Sequence, residues 1–190
     1  MVLQVTVKSV DRGRGLNNVV ITLILLVIAL LLSIIVTYYT TNVVKTRTQT
    51  EELQIRDEHV WVNSTGAVAA FKVTATGGRD ILLDRIEVRS VEQNWSDVYY
   101  NRVPSGSSVT GDMNVTSYAK FIGASVDIDG RTYAQATADI PLNSGCELLI
   151  YVKDPDNVQV GQEGKMVSIS IVTSNSKYTT ELHVDTATRQ

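Results

Sequence analysis

The chain has 190 residues, with 17 lysines and arginines against 20 aspartates and glutamates, for a formal net charge of −3. This length accommodates one domain of ordinary size with an appendage. Because no block of clustered basic residues is present to neutralise phosphates, a nucleic-acid partner is excluded. The single cysteine, Cys146, excludes an internal disulfide and a cysteine-rich metal cage. Cys146 alternates with Leu148 and Ile150, which indicates a small core residue on an apolar strand face.

The first feature along the chain is a segment without charge, residues 16–44. Within it, residues 19–36 are aliphatic except for Thr22, Ala29 and Ser33. Eighteen such residues are just long enough to cross a bilayer core of about 30 Å as a helix. Two tyrosines follow, in the position where amphipathic rings prefer the membrane interface. No proline precedes residue 104, so the polar residues 40–49 can extend the same helix.

The flanking charges predict how this helix is oriented in a membrane. Three basic residues and one acid precede it, whereas the two basic residues that follow are soon offset by two glutamates. This bias favours a cytoplasmic N-terminus with the remainder outside. An ordinary secretory signal is disfavoured, because its apolar core has about 7–15 residues and ends in a small-residue cleavage site. On spacing alone, a plain membrane anchor remains open.

The residues directly before the apolar run are Arg12-Gly13-Arg14-Gly15, abutting Leu16. This junction resembles the leader site of archaeal type IV pilin and archaellin precursors. The resemblance implies that a prepilin peptidase cuts between Gly15 and Leu16 and leaves the hydrophobic segment on the mature chain. It also implies three parts: a leader at 1–15, an assembly helix at 16–52 and a β-sandwich at 53–190. Bacterial-type pilins carry a glutamate at the fifth mature position, which here is Val20, as archaeal members usually permit.

Small and polar residues in the predicted helix form a stripe. At about 100° per residue they fall within roughly 40° of a common direction. Such residues permit close approach of helices in a membrane. Leu26 lies in the same sector and interrupts the stripe. Because the remaining surface is apolar all round, the helix must be covered by lipid or by other helices. The stripe consists of Asn18, Thr22, Ala29, Ser33 and Thr40.

Beyond residue 52 the apolar pattern changes to period two, with frequent turn signals. This pattern predicts an antiparallel β-sandwich of immunoglobulin-like type, and therefore an α+β fold class for the whole chain. Asp129-Gly130 predicts a hairpin turn, since glycine accepts positive φ, and residues 174–177 predict a second short loop. The predicted strands are residues 53–62, 67–76, 80–91, 121–128, 132–138, 146–153, 165–173 and 178–185.

A search for catalytic or metal-binding chemistry finds none. The two histidines, His59 and His183, belong to no zinc motif, and alternation predicts that His183 faces solvent. Residues 127–130 lack the third ligand and distant glutamate of a calcium loop, which favours a simple turn. The acidic turn at 154–157 is a weak candidate for calcium, and residues 161–165 lack the spacing of a phosphate loop. We therefore expect no catalytic residue, no metal and no cofactor.

Three Asn-x-Ser/Thr sequons lie beyond the apolar helix, at Asn63, Asn94 and Asn114. If that part of the chain is outside the cell, each is a candidate glycan site. Asn63 is the least favoured of the three, because it closes a predicted strand that is partly buried.

Together these features predict a structural subunit of an archaeal type IV pilus-like filament, either an adhesion pilus or an archaellum for motility. Its partners would be copies of itself, the membrane before assembly, the prepilin peptidase and assembly machinery, and surfaces or other cells. The precursor would lie in the cytoplasmic membrane and the filament outside the cell. A membrane-tethered binding module with an extracellular sandwich is the alternative, and an enzyme is the least expected class.

Overall fold

The computed structural model describes residues 12–187, with the side chains of 17–46 and 50–187. The chain divides into two units, Met1–Thr46 and Arg47–Gln190. The described residues of the first form a single helix, and those of the second form a mostly antiparallel sheet that curls into a sandwich. The predicted α+β fold class is therefore confirmed.

Helix α1 runs from Arg12 to Gln49, 38 residues without a glycine or proline after residue 15. At about 1.5 Å per residue it is roughly 57 Å long. It therefore continues through the polar residues 40–49, as the absence of proline predicted.

The helix ends three residues before the predicted boundary at 52. Glu51 and Glu52 belong to the β unit instead. The Glu51 carboxylate accepts a hydrogen bond of 2.7 Å from Asn175 Nδ2. The Glu52 carbonyl accepts a bond of 3.1 Å from the Gly77 N–H. These bonds to the sheet replace the intrahelical bonds that would continue α1, and only the folded β unit supplies them.

The turn at Gly77 requires a glycine because the backbone approaches it closely. A Cβ atom there would stand 2.3 Å from the Thr50 carbonyl oxygen and 2.6 Å from the Glu52 nitrogen. At Gly111, by contrast, an added Cβ would meet no atom within 4 Å. The two glycines therefore form a matched pair for testing this contact.

Eleven strands make up the described part of the sheet, and each of the eight predicted strands overlaps one of them. The long predicted strand at 80–91 is split in two by a turn at Arg89 and Ser90, whose φ values are 50° and 64°. The strand predicted at 121–128 is observed only from residue 125, four residues later. The strands are β1 Leu53–Asn63, β2 Gly66–Ala75, β3 Ile81–Val88, β4 Val91–Glu92, β5 Val98–Val103, β6 Ser125–Ile128, β7 Arg131–Gln135, β8 Ile140–Leu142, β9 Glu147–Lys153, β10 Met166–Thr173 and β11 Lys177–Thr186.

Strands β5 and β8 were missed by the sequence analysis. Strand β5 shows no clear alternation, because it is buried at Val98 and Tyr99 in succession. Strand β8 contains Pro141, which cannot donate to a ladder and is confined to sheet edges. Accordingly, β3 is the one strand among residues 12–187 with which β8 pairs.

The strand order is β4-β3-β10-β11-β1-β2-β9-β5-β7-β6, with β8 also paired to β3. Among the pairs that the described residues form, only β1 and β11 are parallel, in register from Val60–Val184 to Val62–Thr186. This short parallel pair joins the two layers of the sandwich into one hydrogen-bonded sheet.

Strands β2 and β9 are buried on both faces, so each contributes to two cores. One face, including Phe71 and Ile150, packs in the main core with Leu83 and Ile171 across the sandwich. The other face, including Tyr151, packs in a second core. Because both faces are apolar, β2 and β9 read as nearly continuous hydrophobic runs.

The second core is covered by a segment that we call the strap, residues 104–124, between β5 and β6. Its Phe121 is almost fully buried and contacts the rings of Tyr99 and Tyr151 at centroid distances of 5.0 and 6.0 Å. Tyr133 packs edge-on against Tyr151. Burial raises the pKa of Tyr133 to about 12 and also raises the pKa of Tyr151, because the charged phenolate is disfavoured in this core.

Predicted turns are placed as expected. Asp129 and Gly130 join β6 to β7 with φ values of 51° and 74°, the positive values that a two-residue hairpin of the mirror-image type requires. The second short loop joins β10 to β11, although Lys177 already belongs to the strand.

Candidate functional site

The candidate site is the apolar surface of α1. From Asn17 to Thr46 every side chain is exposed, and the large aliphatic side chains between Val19 and Val36 are 45–65% exposed. Mean hydropathy reaches 3.5 in this stretch, which is long and apolar enough to cross a membrane. Length and composition alone do not separate a membrane anchor from a signal sequence near the N-terminus.

The threonines in the described apolar part of α1 donate their hydroxyl groups to backbone carbonyls of the same helix. Thr22 Oγ1 donates to the Val19 carbonyl at 2.9 Å, and Thr40 Oγ1 donates to the Val36 carbonyl at 2.8 Å. Thr37 does the same with the Ser33 carbonyl, at 2.7 Å. A hydroxyl bonded within its own helix costs less in hydrocarbon than an unpaired one. These polar residues are therefore compatible with a lipid or a protein environment around the helix.

The predicted stripe lies on one side of α1, since Asn18, Thr22, Ala29, Ser33 and Thr40 are all helical. At 100° per residue, the valine at position 36 also falls in this sector, between Ser33 and Thr40. The stripe is therefore interrupted twice, by Leu26 and by this valine. Close helix contact is therefore most favoured along its two uninterrupted parts, from Asn18 to Thr22 and from Ala29 to Ser33.

The predicted processing junction lies in the first turns of α1. Arg14, Gly15 and Leu16 are helical in backbone, and residues 1–11 of the predicted leader lie outside the described residues. Cleavage between Gly15 and Leu16 stays a prediction.

The three sequons lie in different settings. Asn63 ends β1 in the turn to β2 and is half-buried, as its position suggested. Asn94 is exposed between β4 and a 3-10 turn at Trp95–Asp97. Asn114 is exposed on the strap.

The other candidates do not converge. In the part of the chain that the structure describes, no three His, Cys, Asp or Glu side chains are close enough to hold a metal ion. His183 is exposed, as predicted, and residues 127–130 form the β6–β7 hairpin. In the acidic turn, the Asn157 carbonyl accepts a bond from Arg89. Cys146 is half-buried beside the main core.

His59 has partners that the sequence did not reveal. Its ring stacks on Trp61 at 5.0 Å, and Nε2 lies 2.8 Å from Asp112 Oδ1 on the strap. Partial burial would raise the pKa of Asp112, but hydrogen bonds from His59 and from the Met113 N–H hold it below its ordinary value. His59 thus links β1 to the strap.

Lys72 is a second group that sequence reasoning missed. It is 1% exposed on β2, and its Nζ donates to Asp57 Oδ2 at 2.6 Å, to the Val109 carbonyl at 2.9 Å and to the Gly111 carbonyl. Glu147 Oε2 accepts a hydrogen bond of 3.1 Å from the Val109 N–H. The buried side chains of Glu147 and Lys72 therefore bind the N–H and the carbonyl of Val109 respectively. The available signal was a lysine in the middle of an otherwise apolar strand.

On the outer face of the β3–β10–β11 layer, Glu87 accepts hydrogen bonds from Lys177 at 2.6 Å and from Arg85 at 3.2 Å. The hydrogen bond from Lys177 is the main cause that holds the pKa of Glu87 below its ordinary value, against the opposing effect of burial. This cluster is an ion-pair network and contains no nucleophile.

No protein-family description matches the chain, and no curated protein matches it in sequence.

Proposed function

We propose that this chain is the structural subunit of an extracellular, type IV pilus-like filament, assembled by bundling of α1 from many copies. The observation that carries the proposal is that every described side chain of α1 is exposed, while the β unit has two cores of its own. A helix that is apolar all round needs a cover that water cannot provide. Lipid provides it before assembly, and neighbouring helices provide it afterwards.

The size of this surface supports the proposal. Fifteen large aliphatic side chains lie between Val19 and Val36. Full burial of one such side chain is worth about 1.5–3 kcal/mol, and these are already about half-covered by their own helix. Their remaining burial is worth on the order of 10–20 kcal/mol, gross of ordering costs. That sum rivals the whole stability of a typical domain, so a water-exposed monomer is strongly disfavoured.

The proposal has a topological part. The precursor lies in the cytoplasmic membrane with its N-terminus inside, and a prepilin peptidase removes residues 1–15. The assembly machinery then moves α1 from lipid into the bundle, and the β units form the outer surface of the filament, where they meet other cells or surfaces. Swimming and adhesion both suit a filament of this kind.

The decisive experiment compares Leu30→Lys with Leu82→Lys. Both leucines are exposed in the single chain, 57% on α1 and 41% on β3. A lysine at position 30 should cost about 2.5–3.5 kcal/mol on membrane insertion and should leave an unpaired ammonium in the bundle. Sheared surface material should therefore contain filaments from wild type and Leu82→Lys, and none from Leu30→Lys.

Two further measurements separate filament from tether. A soluble chain of residues 50–190 should sediment as a folded monomer, because both cores lie in that part of the chain. If it forms ordered fibres, the sandwich drives assembly and the bundling mechanism is wrong. If the full chain is recovered only as a detergent-soluble monomer, the membrane-tethered binding module replaces the filament.

A further inference from the structure

Of the three sequons, only one has both its asparagine and its Ser or Thr side chain exposed in the described structure. N-linked transfer joins the asparagine Nδ2 to the anomeric carbon of an activated oligosaccharide. The carbon–oxygen bond to the lipid-phosphate carrier breaks, the carrier leaves as a phosphate anion with the bonding electron pair, and the proton lost by the amide passes to solvent. The reaction needs a free amide group, and the sequon requires a Ser or Thr hydroxyl two residues later. Both groups can be located for each sequon.

Asn63 is held by its own turn. Its Oδ1 accepts hydrogen bonds from the Thr65 N–H at 2.9 Å, from Thr65 Oγ1 at 2.7 Å and from the Gly66 N–H at 3.1 Å. The required hydroxyl, on Thr65, is therefore already bound to the acceptor's own amide. Presenting Asn63 to an enzyme would break the turn that joins β1 to β2.

Asn114 is exposed but also engaged. Its Nδ2, the atom that would carry the glycan, donates to Asp129 Oδ2 in the β6–β7 hairpin. Its backbone carbonyl accepts a bond of 2.9 Å from the Tyr151 hydroxyl. The required hydroxyl belongs to Thr116, which is only 5% exposed and whose Oγ1 is buried without a partner among the described residues.

Asn94 differs from both in that neither of its two reacting side chains is buried or held by a hydrogen bond among the described residues. It is exposed, in extended backbone conformation, and its side chain makes no hydrogen bond to the 3-10 turn that follows. The residue two positions later, Ser96, is exposed as well. The neighbours are anchored instead: Gln93 is 5% exposed, and Trp95 packs against the main core. The sequon is thus held rigidly with its two reacting residues outward.

The location of Asn94 has a structural consequence. It follows β4, a strand of two residues that ends the described sheet and pairs with the outer edge of β3 at Glu87 and Val88, whose other edge pairs with β10. An exposed sheet edge can pair with a strand of another chain. A glycan beside β4 would cover this edge.

We propose that Asn94 is the N-linked glycan acceptor of the folded chain, which uses a lipid-phosphate-linked oligosaccharide as donor. The inference rests on the proposed function in one respect, because it requires the β unit to lie outside the cell. It predicts a single occupied sequon, at a site that the sequence alone does not distinguish from Asn114.

The test uses full-length chain recovered from a host that carries its own N-glycosylation machinery. Intact-mass analysis and glycopeptide mapping are applied to wild type and to four variants. The variants are Asn94→Gln, Ser96→Ala, Asn63→Gln and Asn114→Gln. The mass excess over the polypeptide should disappear completely in Asn94→Gln and Ser96→Ala, and should persist in the other two. Ser96→Ala keeps the asparagine, so loss in that variant cannot come from a fold change at position 94.

An unmodified wild-type mass, or a glycan at Asn63 or Asn114 without one at Asn94, would overturn the inference. Full occupancy of all three would overturn it too, because folded-state accessibility would then not govern the choice. Electron microscopy of the same samples scores filaments separately. Filaments without a glycan refute this inference alone, whereas glycosylated chains without filaments refute the proposed function alone.

Discussion

Replacing Lys72 by methionine removes the buried ammonium that holds the strap from below. Methionine has a similar length and suits the apolar second core, so the effect should come from the lost hydrogen bonds. These bonds join Nζ to Asp57 and to the carbonyls of Val109 and Gly111. We expect the strap to loosen over residues 109–111 while the main core stays intact.

The magnitude follows from the exposure of each partner. Breaking a buried ion pair from one side costs about 3–5 kcal/mol. Here the Asp57 side chain is 43% exposed, so water solvates its carboxylate after the ammonium is removed and offsets part of this cost. A net loss of about 2–3 kcal/mol is therefore expected, or roughly 6–9 °C in the midpoint of thermal unfolding for a domain of this size.

Lys153→Met is the matched control. Lys153 is half-buried and donates a single 3.1 Å bond from Nζ to the Phe121 carbonyl, with the Tyr118 ring 5.0 Å away. This variant removes one half-buried hydrogen bond where Lys72→Met removes three buried ones, so it should lose clearly less stability than Lys72→Met.

The assay is urea unfolding of residues 50–190, combined with hydrogen exchange. The Val109 amide, bonded to Glu147, should exchange faster in Lys72→Met than in the control. Equal stability losses in the two variants, or a loss without faster exchange at Val109, would refute the argument that Lys72 stabilises the fold through its hydrogen bonds to the strap.

Gly77→Ala should lower the free energy of unfolding by about 1–3 kcal/mol, as overpacking does, whereas Gly111→Ala should change it by less than about 0.5 kcal/mol; equal values in urea titrations would contradict the close approach at the first site. The folded pKa of Glu87 lies below 4.5, so its stabilisation is present above that pH and is lost as the pH falls through the folded pKa. The unfolding free-energy difference between wild type and Glu87→Gln should therefore shrink below pH 4.5, and a difference unchanged between pH 7 and 3 would count against this network. Gly15→Phe should block removal of the 15-residue leader, which N-terminal sequencing would show as a precursor; assembled wild-type filaments that retain the leader would exclude the cleavage.

Local patterns determined the elements of this protein well. The apolar run from Val19 to Val36 predicts a helix, since no alternation or turn signal interrupts it. The apolar surface of that helix must be covered by lipid or by other helices. Most strands were equally readable, because one face of each is apolar and the other polar. Asp129-Gly130 identified its turn because only special backbone angles close a two-residue hairpin.

Strands that depend on distant partners were not readable. Strand β5 packs both of its faces but, unlike β2 and β9, contains Asn101 and Arg102, so it shows neither alternation nor a continuous apolar run. Strand β8 exists only because β3 offers an edge to a segment that contains Pro141. The strap was partly mistaken for a strand, since Phe121 looks like a strand residue until the second core that it fills is known.

The sequence by itself determined that this chain has an apolar helix, a β-rich remainder and three sequons, of which it disfavoured only Asn63. Only the tertiary structure decided which sequon is accessible, and which polar side chains hold the strap. The physical reason is the separation along the chain over which each interaction acts. Helix, strand and turn preferences act between near neighbours, whereas Asn114 and Asp129, or Lys72 and Gly111, meet only after the sheet has folded.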